Sequence, residues 1–284
     1  MTQPPRHPLE APPPDDDDET PQEGQTRVQV RFELAARVPS ITYGLIAVNI
    51  ALYGLTQFFP ELFLWGALFP EAVLDGLQFQ RLLTAMFLHA NLPHIVLNMF
   101  ALYSLGREVE MLFGQQRFLA IYFLGGLAGS IASAGIGNYA VPSVGASGAV
   151  LAVWGAQMVF LYLNRTLFGP ERIRQVLIQN FVYLGAFTFI GFVPGSRVDN
   201  WAHIGGFIGG AAVAWAMPVR LKYTRAPQPL TTSPTHPTVI GTVEDSNPWS
   251  PQMISTVMAF IGGLALALLL AMIGYGFRVF PNTL

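Results

Sequence analysis

Seven windows of about twenty mostly apolar residues run along this chain, and that is the length an α-helix needs to cross a bilayer. They fall at 40–59, 93–113, 117–136, 146–164, 175–194, 201–219 and 252–277. In lipid only helices and closed barrels satisfy every backbone polar group, so helical windows of this length predict an all-α polytopic membrane protein. The charge content agrees, because only 11% of residues are charged against about 25% in a soluble domain. A net charge of −2 offers no basic surface for nucleic acid and no strong steering field. The absence of cysteine removes disulfides, thiol nucleophiles and thiolate metal sites together.

The windows divide the chain. Residues 1–38 hold proline runs and the acidic stretch Asp15 to Glu19, and read as a disordered cytoplasmic tail. The tail lacks a basic start followed by a short apolar stretch, so the first spanning segment is expected to do the targeting. Residues 39–219 form a six-helix core with an outer loop at 60–92 that carries short helical pieces. Residues 220–251, rich in Pro, Thr and Ser, read as a flexible linker. Residues 252–284 supply a seventh helix and a short outer tail.

Orientation follows from basic residues, which stay on the cytoplasmic side. With the N-terminus inside, twelve fall inside (Arg6, Arg27, Arg31, Arg37, Arg107, Arg117, Arg165, Arg172, Arg174, Arg220, Lys222 and Arg225) and three outside (Arg81, Arg197 and Arg278). The C-terminus is then expected outside, and so are the loops that lead into the fourth and sixth helices.

Polar groups inside a bilayer are costly and are functional candidates by default. No Asp or Glu lies in the middle of a window, which excludes a pair of embedded aspartates. His89 is followed by Ala90 and His94 by Ile95, so there is no His-Glu-x-x-His metal motif and no metal is expected. Ser147, in Val144-Gly145-Ala146-Ser147-Gly148-Ala149, opens an apolar run. Gly145, Gly148 and the alanines leave room for a substrate backbone, and a helix start offers free N–H groups, which suits a nucleophile beside an oxyanion hole. Small residues also serve simply to bring helices close, and on this motif alone both readings stand.

The sixth window adds a base. In Trp201-Ala202-His203-Ile204-Gly205-Gly206-Phe207-Ile208-Gly209-Gly210, Gly206 and Gly210 share a helix face with His203. If that face packs on the fourth helix, His203 meets Ser147 at the same outer depth and can take its proton. In the second window His94 and Asn98 stand four residues apart on one face, both able to donate to a developing oxyanion. His89 is expected to tie the outer loop to the helix end. Gly106 and Glu110, toward the inner end, are assigned packing and hydrogen-bonding roles.

Taken in order, His89-x-x-x-x-His94-x-x-x-Asn98, Gly106-x-x-x-Glu110, Gly145-Ala146-Ser147-Gly148 and Ala202-His203-x-x-Gly206-x-x-x-Gly210 resemble the motif set of the rhomboid intramembrane serine proteases. The similarity covers roughly residues 39–219, and the last window resembles a "six plus one" arrangement. The resemblance implies a Ser147–His203 dyad without cofactor or obligatory acidic partner, and an oxyanion hole from His94, Asn98 and the Ser147 N–H. Arg81, eight residues before His89, matches the arginine of the family's outer-loop motif. Two positions depart: Gln80 stands where a tryptophan is usual, and Leu151 where an aromatic commonly packs on the histidine, so looser orientation of His203 is expected. Asp199, one turn before His203, is in reach to orient it, but it sits in the exposed outer loop and the family does not require it.

The resemblance further implies hydrolysis of peptide bonds in transmembrane protein substrates at the outer boundary of a membrane, with lipid the other partner. The membrane would be a bacterial inner membrane. Substrates would enter sideways near the fifth helix, with its Phe181, Phe187, Phe189 and Phe192, and unwind locally. A client-binding relative without activity would have lost Ser147 or His203, and both are present. A His-lined transporter would show paired repeats with broken helices at mid-membrane, and the chain has no such repeat.

Overall fold

Buried and lipid-side positions on the first helix are the reverse of those in a soluble protein. A computed structural model of the chain describes residues 28–30, 38–137, 141–168, 170–171, 173–178, 180–182, 198–225 and 239–250, with 252, 253, 255 and 259. Helix α1, Ser40–Phe58, buries Thr42, Leu45, Asn49 and Thr56, while Val48, Ile50, Leu55 and Phe58 are exposed. Three of its four inward side chains are polar, and apolar ones face out. That pattern is stable only where the surroundings are apolar.

Short helices α2 (Pro60–Gly66), α3 (Pro70–Leu74) and α4 (Arg81–Thr84) follow, and a single 3-10 turn at Ala85–Phe87 leads to α5, Leu92–Ala101. A π-helical stretch, Leu102–Gly106, joins α5 to α6, Arg107–Phe113, and such bulges are frequent at functional sites. Then come α7 (Gln115–Ile136), α8 (Ser147–Leu163), α9 (Arg165–Phe168) and α10 (Asn200–Ala216). Among the described residues two helices, α1 and α7, are long and apolar enough to cross a membrane, and a third span counts if the pair Arg81–Phe87 and Leu92–Phe113, bent by 91°, is one. Helical residues at 173–178 and 180–182 fall at the start of the fifth window. The rest of that window, with Phe187, Phe189 and Phe192, lies outside the described residues, as does most of the seventh.

The described residues fold mainly as helix. One small sheet departs from the tail-and-linker reading, with strands β1 (Val28–Val30), β2 (Leu221–Arg225) and β3 (Val239–Asp245) in the order β1-β3-β2. Strand β1 runs parallel to β3, Val28 opposite Val239. The physical reason lies in the β-branched run Val239-Ile240-Gly241-Thr242-Val243, which favours an extended, paired backbone over a free linker. The chain divides into two units, Met1–Phe32 with Tyr223–Val243, and Glu33–Lys222 with Glu244–Leu284.

Within the second unit the polypeptide after α10 is held by specific bonds. Asn164, at the C-terminus of α8, donates to the Val219 carbonyl (2.9 Å) and accepts from the Leu221 N–H (2.7 Å). Arg117 on α7 is buried; it pairs with Asp245 at 2.7 Å, donates to the Asn247 carbonyl and lies over the Trp249 ring.

Three helices, α7, α8 and α10, pack with almost nothing between their backbones. A methyl group built on Gly206 would lie 2.1 Å from the Gly148 carbonyl oxygen, and one on Gly210 2.0 Å from that of Ala152. The adjacent glycines of each doublet turn toward α7, where a methyl on Gly209 would lie 2.5 Å from the Ala128 side chain. The doublets at 205–206 and 209–210 thus give α10 two adjoining smooth faces, each accepting one neighbour at the distance small residues permit.

Candidate active site

Ser147 is the first residue of α8, and none of the described side chains caps that helix start. An α-helix leaves its first four N–H groups without intrahelical partners, so donors converge beside the Ser147 hydroxyl. Helix α8 spans 17 residues, about 25 Å, which is shorter than the roughly 30 Å hydrocarbon thickness. Irregular backbone at 141–146 precedes it. Such backbone is tolerated at membrane depth only when buried in protein, and here protein holds it: Leu68 and Ser143 exchange both backbone hydrogen bonds (3.0 and 2.8 Å), and Gly145 N–H donates to the Ala85 carbonyl at 2.9 Å. The loop before α5 thus fastens the segment that presents the serine.

His203 lies in the first turn of α10, and its Nε2 is hydrogen-bonded to Ser147 Oγ at 2.8 Å. The glycine contact below this pair sets the spacing, because α8 and α10 touch backbone to backbone at Gly148 and Gly206. His203 is 3% exposed, whereas Ser147 is half-buried. Leu151, one turn further along α8, is buried as well. Asp199 caps α10: Oδ1 accepts from the Ala202 N–H at 3.0 Å, and Oδ2 accepts from Ser133 Oγ on α7.

The donors assigned to an oxyanion lie on the other side of Ser147. Gly145, at φ +126°, faces the His94 ring so closely that a methyl there would sit 2.7 Å from Nε2 and 3.6 Å from the Asn98 amide nitrogen. A positive φ and this approach leave glycine the only residue that fits. Asn98 donates one amide hydrogen to the His94 carbonyl at 3.0 Å, and an amide nitrogen has a second to offer. The site therefore brings Ser147, His203, His94 and Asn98 around one residue pair, Gly145-Ala146.

His89 lies against both the first turn of α5 and the segment that leads into Ser147. It is buried, stands edge-on to His94 with ring centroids 5.1 Å apart, and its Nε2 accepts a long 3.5 Å bond from the Ala146 N–H. Accepting the Ala146 N–H makes the His89 Nε2 an acceptor at the serine loop. Arg81 donates to the carbonyls of Leu64 (2.9 Å) and Ala67 (2.6 Å) and, through Nε, to Gln78 (2.6 Å). It shapes the loop at 60–92 from within, and Gln80 beside it is buried. Glu110 accepts from the N–H groups of Ile41 (3.0 Å) and Thr42 (2.8 Å) and from Thr42 Oγ1 (2.7 Å), placing a carboxylate at the positive end of α1. Gly106 makes room for Thr42, whose Cγ2 would lie 3.0 Å from an added methyl.

Sequence reading missed three links to the site. The third window is a full partner of the catalytic-type pair, signalled by Gly125-Gly126-x-x-Gly129 but unused. Ser133 reaches Asp199, and Leu68 pairs with Ser143; neither link carries a spacing that a one-dimensional pattern could reveal. Among the described residues no cluster of His, Cys, Asp and Glu could hold a metal ion.

Fold and site together define a polytopic helical membrane protein with a half-buried serine hydrogen-bonded to a buried histidine. The family model described as Rhomboid domain matches residues 76–220, and the chain belongs to the rhomboid family. It is 36% identical over 188 residues to Rhomboid protease GluP of Bacillus subtilis, covering 63% of this chain and 36% of that one. Rhomboid protease AarA of Providencia stuartii is 31% identical over 215 residues, covering 66% and 75%. RHOMBOID-like protein 6, mitochondrial, of Arabidopsis thaliana is 38% identical over 153 residues, covering 54% and 48%. The chain spans about half or less of the length of several of these curated relatives.

Proposed function

We propose that this protein is an intramembrane serine endopeptidase that cuts transmembrane protein substrates with Ser147 as nucleophile and His203 as general base. The observation that carries the reading is the 2.8 Å hydrogen bond between His203 Nε2 and Ser147 Oγ at an uncapped helix start. Ser147 Oγ attacks the scissile carbonyl while Nε2 takes its proton. The negative charge that develops on the carbonyl oxygen is met by the Ser147 N–H, the Asn98 amide and His94. His203 then gives its proton to the leaving amine, and water, deprotonated by the same nitrogen, hydrolyses the acyl-enzyme. Because an intact α-helix hides its carbonyls, the substrate unwinds at the cut, and Gly145-Ala146 leaves space for a small residue there.

The active side faces the outside of the cell membrane, and six core helices plus a seventh cross it. Arginines stacked on aromatic rings support the orientation, since Arg107 over Tyr103, about three turns past His94, and Arg165 over Tyr162, at the end of α8 away from Ser147, each 4.6 Å, are what a basic, aromatic cytoplasmic boundary would carry. The chain has no cysteine, so single introduced thiols report topology cleanly. An impermeant maleimide on intact cells should label Leu77→Cys and spare Glu108→Cys; the opposite pattern would reverse the orientation.

A fluorophosphonate serine probe tests the chemistry. Labelling at Ser147 that disappears in Ser147→Ala and falls sharply in His203→Ala is expected. Persistent labelling in Ser147→Ala would sink the assignment of the nucleophile.

A further inference from the structure

Resting on the dyad reading above, we infer that Asp199 and Ser133 are positioning residues that hold His203 over Ser147 by tying the start of α10 to α7. The two oxygens of one carboxylate serve two helices. Oδ1 closes the first turn of α10 by accepting from the Ala202 N–H at 3.0 Å, while Oδ2 accepts from Ser133 Oγ of α7. His203 is in that same turn, and its own N–H donates to the Asp199 carbonyl at 3.2 Å.

The need for a tie at this point follows from where the close packing ends. Below His203, α10 is fixed on both sides, by Gly148 against Gly206 on α8 and by Gly129 against the Ala202 carbonyl on α7, where an added methyl would be 2.5 Å away. Ser133 stands one turn beyond Gly129 on the same face of α7, and α10 begins there at Asn200. The first turn of a helix frays unless its N–H groups are capped. An unfastened turn would let the imidazole drift from a 2.8 Å contact, and a misplacement of about 1 Å costs roughly a hundredfold in rate. Ser133 is buried and Asp199 half-buried, so the bond between them is shielded from competing water.

The tie acts through geometry, and this separates it from a catalytic acid relay. Asparagine at 199 can still accept from the Ala202 N–H through its carbonyl oxygen and can donate to Ser133 Oγ through its amide, which keeps both links without the charge. In proteoliposomes with a transmembrane model substrate, Asp199→Ala should lower kcat by about 10- to 100-fold with KM nearly unchanged, Ser133→Ala should lower it by a smaller factor, and Asp199→Asn should restore it to within about threefold. Fluorophosphonate labelling of Ser147 should slow in the same order.

Full kcat in Ser133→Ala and Asp199→Ala overturns the inference. So does an Asp199→Ala that fails to fold while Ser133→Ala is fully active, since the tie would then be only structural, and so does an Asp199→Asn as slow as Asp199→Ala, since charge would then be the operative property. Ser147→Ala and His203→Ala run in parallel keep the two levels apart. If both are inactive while the Asp199 and Ser133 variants are normal, the dyad stands and the tie falls; turnover in Ser147→Ala removes the dyad itself.

Discussion

The two sides of Ser147 are built by different means. On one side α7, α8 and α10 meet through glycine, backbone against backbone, and His203 rides on that contact. On the other side α1, α5 and α6 meet through side chains: Glu110 reaches Ile41 and Thr42, the π-helical stretch Leu102–Gly106 interrupts the helix below His94 and Asn98, and Val96, Leu97 and Phe100 are exposed. Backbone contacts have no rotamers to adjust, whereas side-chain contacts can lengthen and re-form. In the proposed reading Ser147 and His203 sit in the half joined backbone to backbone, and His94 and Asn98 sit in the half joined through side chains.

This contrast can be broken by experiment. The largest effect is expected from Gly210→Leu. A side chain cannot be accommodated where even a methyl lies 2.0 Å from a carbonyl oxygen, and overpacking costs about 1–3 kcal/mol or more; turnover and cooperative thermal unfolding in detergent should both be lost. Retained activity would mean that the close packing of α8 and α10 is dispensable. Asn98→Ala should act on chemistry alone, lowering kcat about 10²- to 10³-fold with the unfolding temperature unchanged. A large drop in Tm would place Asn98 with the half joined backbone to backbone and erase the distinction. The smallest effect on turnover belongs to Glu110→Gln, which keeps the shape but removes the charge at the start of α1 and sets an amide donor against the Ile41 N–H. A loss of about 1 kcal/mol, read as a lower Tm with kcat within twofold, is expected, and a collapse of kcat would link the two halves more tightly than their contacts imply.

Much of this arrangement was legible in the sequence because membrane helices announce themselves by apolar length, and because a serine or histidine there has few neighbours to compete for a role. The spacing of His203, Gly206 and Gly210 pointed to a shared face, and the face is indeed turned to α8. Spacing along one chain could not tell which helix lies on the other face of α10. Gly205 and Gly209 answer that only in three dimensions, against α7. The same limit hid the bond from Ser133 to Asp199, 66 residues apart, and the pairing of Leu68 with Ser143. The linker reading missed for a different reason. Proline and threonine content suggested free chain, yet the β-branched run from Val239 to Val243 and the grip of Arg117 on Asp245 outweigh it.

The claim that Ser147 and His203 work as one unit is tested most directly by a double-mutant cycle in kcat for cleavage of a reconstituted transmembrane substrate. Groups that act as a unit lose nearly the same rate singly as together. Ser147→Ala, His203→Ala and the double variant should therefore share one residual rate, indistinguishable from substrate incubated without enzyme. Losses that multiply, or a His203→Ala enzyme that turns over at the wild-type rate, would contradict it.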